Sequence, residues 1–167
     1  MRTLPANATV TVVDSPIGLL TLVATEGVLS GLYMVGQRHR PALDMPRDDH
    51  ALPAAREQLA AYFDGGRKDF DVPVALVGTP FQQQVWAALT AIPYGDTWTY
   101  GELAARLGRP AASRAVGLAN GRNPISIVVP CHRVVGSNGN LTGYGGGLAR
   151  KTWLLALETG ARGPLPE

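Results

Sequence analysis

A chain of 167 residues, 46% of them hydrophobic and with a formal charge of +2, can bury a sizeable core as one domain or two small ones. No apolar run approaches transmembrane length, and Met1 to Pro16 lacks the apolar stretch of a signal peptide, so the expectation is a cytoplasmic protein with no membrane association. The one cysteine excludes an intrachain disulfide and a multi-cysteine zinc site, and a lone thiol keeps best in a reducing compartment.

The small net charge is unevenly divided. Residues 1–78 carry seven Lys/Arg against nine Asp/Glu, a balance of −2, and residues 79–167 carry eight against four, a balance of +4. The half that holds Cys131 is the basic one, as expected of a half that meets a polyanion; chance asymmetry among so few charges is the alternative. Arginine supplies nearly all the cations, which suits phosphate and base contacts and also suits a biased genome.

In chain order, Thr9–Val13, Gly18–Thr25 and Gly27–Val35 read as strands separated by turns at Asp14–Ile17 and Glu26–Gly27, an antiparallel meander. Residues 36–53 are polar, charged and proline-rich, hence an exposed loop; His39 and His50 fall in or near it with no clustered ligands. Pro53–Asp64 reads as a helix with Leu59, Tyr62 and Phe63 on its packing stripe, ended by Gly65-Gly66. Phe70–Leu76 reads as a further edge strand before a linker at Val77–Pro80. The sequence holds no internal repeat and no low-complexity tract.

After Thr79-Pro80 comes an amphipathic helix, Phe81–Ile92, with Phe81, Val85, Trp86 and Leu89 on one face and a break at Pro93-Tyr94-Gly95. Thr99 with Glu102 forms a capping box for a helix that ends at Gly108, with Leu103 and Leu107 on its buried face. A second helix spans Ala111–Asn120. Two short helices joined by a glycine-containing turn make a helix-turn-helix candidate, and a plain helical hairpin stays open beside it. On the second helix Ala111, Ala112, Ser113, Ala115, Gly117 and Ala119 are small, and Arg114 is the long side chain of its central turn. Such a helix reads little base sequence but comes close to DNA, as in a minor groove; packing against another helix is the alternative.

Ile125–Val135 reads as a buried strand that stops at Pro130, which presents Cys131 at the edge of a core with His132 directly after it. A thiolate is the reactive form of cysteine and basic neighbours favour it; a buried structural cysteine is the other reading. Gly136 to Gly147 includes six glycines with Leu141 and Tyr144, a mobile loop with an aromatic wall rather than a phosphate-cradling motif. Ala149–Glu158 forms the last helix, with Trp153, Leu154 and Leu157 inward. Arg122, Arg133 and Arg150 are candidate phosphate partners or solvated surface.

Pro130-Cys131-His132-Arg133-Val134 resembles the active-site signature of the O6-alkylguanine-DNA alkyltransferases, and the likeness runs clearly from about Thr79 to Glu158 and faintly before that. The resemblance implies an α/β (α+β) protein. Residues 1–78 would form a small ribonuclease-H-like supporting domain, and 79–167 a mostly helical domain with the helix-turn-helix and the active-site cysteine. It implies single-turnover transfer of an alkyl group from O6-alkylguanine, with O4-alkylthymine as a second substrate, in duplex DNA onto Cys131 after base flipping. The partner it implies is double-stranded DNA with alkylated guanine. A monomer with no obligatory protein partner is expected, with clustering on DNA open. No cofactor is implied. Some relatives hold zinc in the first half on cysteine and histidine, but this half has no cysteine, so no metal is carried over.

By the same resemblance His132 is the general base, acting through a water, and Glu158 orients it. Tyr100 helps to turn out the nucleotide and then contacts its base. Arg114 takes the space the nucleotide leaves, on a DNA-contacting surface with Ala112, Ser113 and Gly117. Asn123 is a hinge that ties the recognition helix to the active-site turn and belongs to the DNA-binding set. Tyr144, Ser126, Val134, Gly145 and Gly146 shape the substrate pocket. Ser126 stands where some relatives have proline and Gly145 where some have serine, departures that bear on bulky groups such as benzyl. Three other readings differ in class. A lesion-binding protein without transfer conflicts with Cys131. A cysteine hydrolase would place its histidine far from the cysteine in sequence. A sequence-specific regulator conflicts with the small-residue helix.

Overall fold

Three strands open the described part of the chain. The computed structural model describes residues 7–161; residues 1–6 and 162–167, the outer ends of the two expected halves and part of the Met1–Pro16 stretch, lie outside the described residues. Strands β1 (Ala8–Val13), β2 (Leu20–Thr25) and β3 (Val28–Met34) form an antiparallel meander, with Val10 opposite Val23 and Leu22 opposite Leu32. The tight β2–β3 turn places Glu26 and Gly27 at positive φ (53° and 78°). One sheet face buries Val10, Val23 and Tyr33 under Leu43 and Met45 of the following loop. The other face sends Leu20, Leu22, Leu32 and Met34 into a main core shared with every helix. Each of those fully buried side chains contributes about 1.5–3 kcal/mol.

Helix α1 (Pro53–Phe63) starts on proline and buries Leu59, Tyr62 and Phe63 against that core. The expected strand at Phe70–Leu76 does not form: one isolated bridge pairs Val74 with Leu29, and the Ala75 N–H donates to Leu29 O. Pro73 has no N–H to give a ladder, and the Asp71 N–H is taken by the Gln58 side chain.

The second half is helical. In α2 (Pro80–Leu89) Thr79 and Gln82 cap each other reciprocally at 3.1 and 3.0 Å. Thr99 and Glu102 do the same for α3 (Tyr100–Arg106). A capping side chain of this kind contributes about 1 kcal/mol. Helix α4 (Ser113–Gly121) packs against α2 and α3, and the indole N–H of buried Trp86 donates to Ala119 O at 2.9 Å. Short parallel strands β4 (Trp98–Thr99) and β5 (Val134–Val135) tie the start of α3 to the end of the cysteine segment. Helix α5 (Leu148–Glu158) closes the core with Trp153, Leu154 and Leu157. The architecture is mixed α/β, a small sheet domain followed by helices.

The expected strand from Ile125 to Pro130 does not form. Only Ile125 bridges to Leu32 of β3, after which the chain coils tightly. The Val129 N–H donates to Ile125 O, and Ile127 takes a left-handed φ of 73°. Residues Cys131–Arg133 then form one 3₁₀ turn. The run is apolar because it is enclosed on every side, which hydrophobicity alone does not distinguish from a central strand.

Candidate active site

A left-handed β-branched residue costs on the order of 1–3 kcal/mol, so something must hold the turn around Ile127. Asn123, just beyond the end of α4, supplies it. Its amide N–H donates to Val129 O at 2.7 Å and its Oδ1 accepts the Ile125 N–H at 3.0 Å. Asn120, one turn earlier, donates to Cys131 O at 3.4 Å. The end of α4 and the cysteine turn are thereby one rigid unit.

Cys131 is 5% exposed and lies against a cavity of about 260 Å³. The cavity brings together Tyr100, Gly117, Asn123, Ser126, Tyr144, Gly145 and Gly146 of the residues expected from sequence. Arg114, Ala112 and Ser113 stand outside it on the first turn of α4, with Arg114 and Ser113 exposed. Val134 is fully buried in β5 and is not among the cavity's lining residues. The Tyr100 ring packs over Gly117, where an added Cβ would meet it at 3.6 Å, and its hydroxyl donates to Thr142 O at 3.2 Å. Burial raises the Tyr100 and Tyr144 hydroxyls, so both stay protonated donors at neutral pH.

Behind the cysteine sits a buried ionic group. His132 Nε2 is 2.7 Å from Glu158 Oε2. The same oxygen accepts from the Tyr62 hydroxyl at 2.6 Å and from the Arg133 guanidinium at 3.1 Å, and Oε1 accepts the Arg133 Nε–H at 2.7 Å. Burial works to raise the Glu158 carboxyl, but the hydrogen bonds from His132, Arg133 and Tyr62 overcome it and take the group down to about 2. Burial lowers His132, with Glu158 pulling the other way, so the imidazole is neutral with its Nε2–H toward an ionised carboxylate. That tautomer leaves the Nδ1 lone pair unused by any described protein group. Burial also raises the Cys131 thiol, opposed by the Asn123 side chain and the charge of Lys151. The resting site therefore holds a thiol next to a neutral base.

Sequence reasoning missed several residues. Tyr62 reads from periodicity as packing on α1, and no local signal shows its hydroxyl reaching across to Glu158. Lys151 is fully buried, its ammonium donating to Val134 O at 2.6 Å, Thr142 O at 3.1 Å and Gly143 O at 3.5 Å. Gln37 and Arg38, in the loop after β3, form part of the cavity wall, and the Arg38 N–H donates to Gly145 O at 2.8 Å. Two arginines considered for phosphate are structural. Arg133 is buried on Glu158 and Ile92 O, and Arg150 ties Ile17 O, Val35 O and Gly146 O together.

Among the described residues no cluster of three His, Cys, Asp or Glu side chains could hold a metal ion, and no helix is long and apolar enough to cross a membrane. The described site brings together one thiol, the hydrogen-bonded group on Glu158 and a cavity walled by both polar and apolar residues.

Two domain profiles of one family match the chain: the ribonuclease-like domain of 6-O-methylguanine DNA methyltransferase over residues 9–76, and its DNA binding domain over 80–160. A methylated-DNA–protein-cysteine methyltransferase of Mycolicibacterium paratuberculosis is 57% identical over 147 residues, 87% of this chain and 89% of that one. One from Methanosarcina acetivorans is 50% identical over 149 residues, 87% and 94% of the two chains. The crystal structure of Mycobacterium tuberculosis OGT in complex with DNA superposes with a TM-score of 0.89 at 52% identity, covering 92% of this chain and 94% of that one. With its cysteine, relay and pocket arranged as above, this chain belongs to the 6-O-methylguanine DNA methyltransferase family.

Proposed function

We propose that the protein repairs alkylated DNA by moving the alkyl group of O6-alkylguanine onto Cys131, once per molecule. The observation that carries this reading is His132, next to Cys131 in the chain, with Nε2 held 2.7 Å from Glu158 Oε2 and Nδ1 left without a described protein partner. The cytoplasm, a monomeric state and O4-alkylthymine as a second substrate belong to the same reading, as does the split of labour between a supporting half, 1–78, and an acting half, 79–167.

The damaged nucleotide leaves the duplex because its O6 substituent cannot meet a thiolate inside the stack; unstacking costs a few kcal/mol. Arg114, with the small residues Ala112, Ser113 and Gly117 letting α4 come close, fills the gap, and Tyr100 guides the base into the cavity. Ser126, Tyr144, Gly145 and Gly146 enclose the base, with Val134 supporting the wall from β5. The Cys131 proton then passes through one water to His132 Nδ1, and Glu158 stabilises the imidazolium that results. The Lys151 ammonium favours the thiolate electrostatically. Sulfur attacks the alkyl carbon, a carbon–sulfur bond forms as the carbon–oxygen bond breaks, and the electron pair goes to guanine O6. The Tyr100 hydroxyl donates toward the charge that develops on the purine. A thioether has no hydrolytic route back to thiol, so turnover stops at one.

Digestion of a treated duplex carrying one O6-methylguanine tests the reading from the DNA side. The expected result is guanine restored in the strand, at most one per protein molecule. An abasic site, or many repairs per molecule, contradicts it. The pocket wall gives a second expectation. A Cβ on Gly146 would run into Met34 Sδ and lie 2.9 Å from the Tyr144 ring. Gly146→Ala should therefore displace Tyr144 and slow single-turnover transfer by at least about tenfold, since misplacement by an ångström is costly. An unchanged rate would remove Tyr144 from the pocket's working wall.

A further inference from the structure

Nearly every cation of the described chain is already engaged. Arg40, Arg56, Arg133, Arg150 and Lys151 bond to protein carbonyls or carboxylates, and Arg47 and Arg67 pair with aspartates. Lys68, Arg106 and Arg109 lie over aromatic rings. Among the described residues only Arg38, Arg114 and Arg122 have no hydrogen bond, ion pair or ring contact for their side chains. All three are exposed. Arg114 already has a place in the proposed flipping step. Arg38 comes from the sheet half, for which the sequence suggested only support.

Arg38 and Arg122 both line the mouth of the Cys131 cavity, and both also line the adjoining cleft of about 1330 Å³ between the β3 exit loop and the end of α4. Their charges reach the same place: burial and then the fields of Arg122 and Arg38 lower His39, which lines both cavities with them. Among the residues lining the cleft, Asp44 is the one carboxylate. Holding like charges together without a counterion is unfavourable, so the arrangement favours an anion. The backbone under them is fixed in advance. The Arg38 N–H is bonded to Gly145 O, and the Arg40 guanidinium to Met34 O at 2.7 Å and Thr21 Oγ1 at 3.4 Å. Arg122 adjoins Asn123, whose side chain is bonded on both sides.

Arg114 and Arg122 are eight residues apart, about 12 Å along α4 at 1.5 Å per residue. Gly117, Leu118 and Gly121 of the intervening stretch line the cavity mouth, with Leu118 71% exposed. At about 3.4 Å of axis per nucleotide, 12 Å spans three to four nucleotides of one strand. We infer that Arg38, acting with Arg122, grips a backbone phosphate of the strand that delivers the flipped nucleotide, on the far side of the cavity from Arg114. The sheet half is thus a direct DNA contact. This inference rests on the DNA-repair reading above.

The test is DNA binding by the full chain in a Cys131→Ser background, on a duplex with one O6-methylguanine, across a salt series. A phosphate contact contributes a slope of about −0.9 in log K against log salt, which is about an eightfold gain at 0.1 M. Arg38→Gln should weaken binding about tenfold at that salt and make the slope shallower by about 1. Arg38→Lys, which keeps a cation, should retain most of the slope, a rescue that loss of fold would not give. A parent that binds and an Arg38→Gln variant with the same affinity and slope would overturn the phosphate grip alone. A parent that binds no duplex at low salt would overturn the grip together with the repair reading.

Discussion

Glu158→Ala is expected to lower stability by about 3–5 kcal/mol and to reduce alkyl transfer by about 10²–10⁴-fold, the two effects having separate causes. The stability loss comes from Arg133, which is 6% exposed and would keep its charge with no counterion. Tyr62 and His132 would lose their shared acceptor as well. The rate loss comes from an imidazole no longer fixed in one tautomer. Glu158→Gln separates the two, because the amide keeps the shape and one acceptor oxygen but cannot stabilise an imidazolium. Equilibrium denaturation and single-turnover kinetics on both variants check this, and a stable, fully active Glu158→Ala variant would contradict it.

The same group sets the response to acid. Glu158 has a depressed carboxyl, about 2 against an ordinary 4.5, so its contribution is complete above about 4.5 and is lost as pH falls toward 2. His132 is held below its ordinary 6.5, so protonating it also works against the folded state as pH falls below that value. Thermal stability should therefore decline from about pH 6.5 downward and most steeply below 4.5, with Glu158→Gln flattening the lower limb. Calorimetry from about pH 2 to about pH 7, which brackets both groups, reads it directly.

Cys131→Ser is expected to abolish transfer while leaving affinity for lesion-bearing duplex within about threefold. Serine keeps the size, but its hydroxyl ionises far less readily than a thiol and His132 is too weak a base to compensate. The surface proposed to meet DNA, on α3, α4 and the cavity rim, does not depend on sulfur. Mobility-shift binding together with a methyl-transfer assay checks both halves. Transfer by the serine variant would remove Cys131 as acceptor.

Much of this was legible in the sequence because it is local. The helix start at Thr79-Pro80, the capping box at Thr99, the β2–β3 turn and the helical stripe through Leu59, Tyr62 and Phe63 are each set within a few residues. The turn at Ile125–Pro130 was not legible, since its conformation depends on the side chain of Asn123 and on one bridge to β3, and composition alone reads it as a strand. Tyr62 and Glu158 are 96 residues apart, and nothing near Tyr62 marks its hydroxyl as a partner. Lys151 is hidden for a different reason: a lysine in an amphipathic helix reads as surface, whereas here three carbonyls of the loop and β5 receive it. Arg38 lies in a loop whose composition says only that it is exposed.

Intact-mass spectrometry of the full chain, incubated with a duplex carrying one O6-methylguanine and followed by peptide mapping, tests the central claim most directly. The account predicts one added methyl group per molecule, on Cys131, reached with stoichiometric DNA and unchanged by excess. Repair of the duplex with an unaltered protein mass, or a methyl group mapped to any other residue, would contradict it.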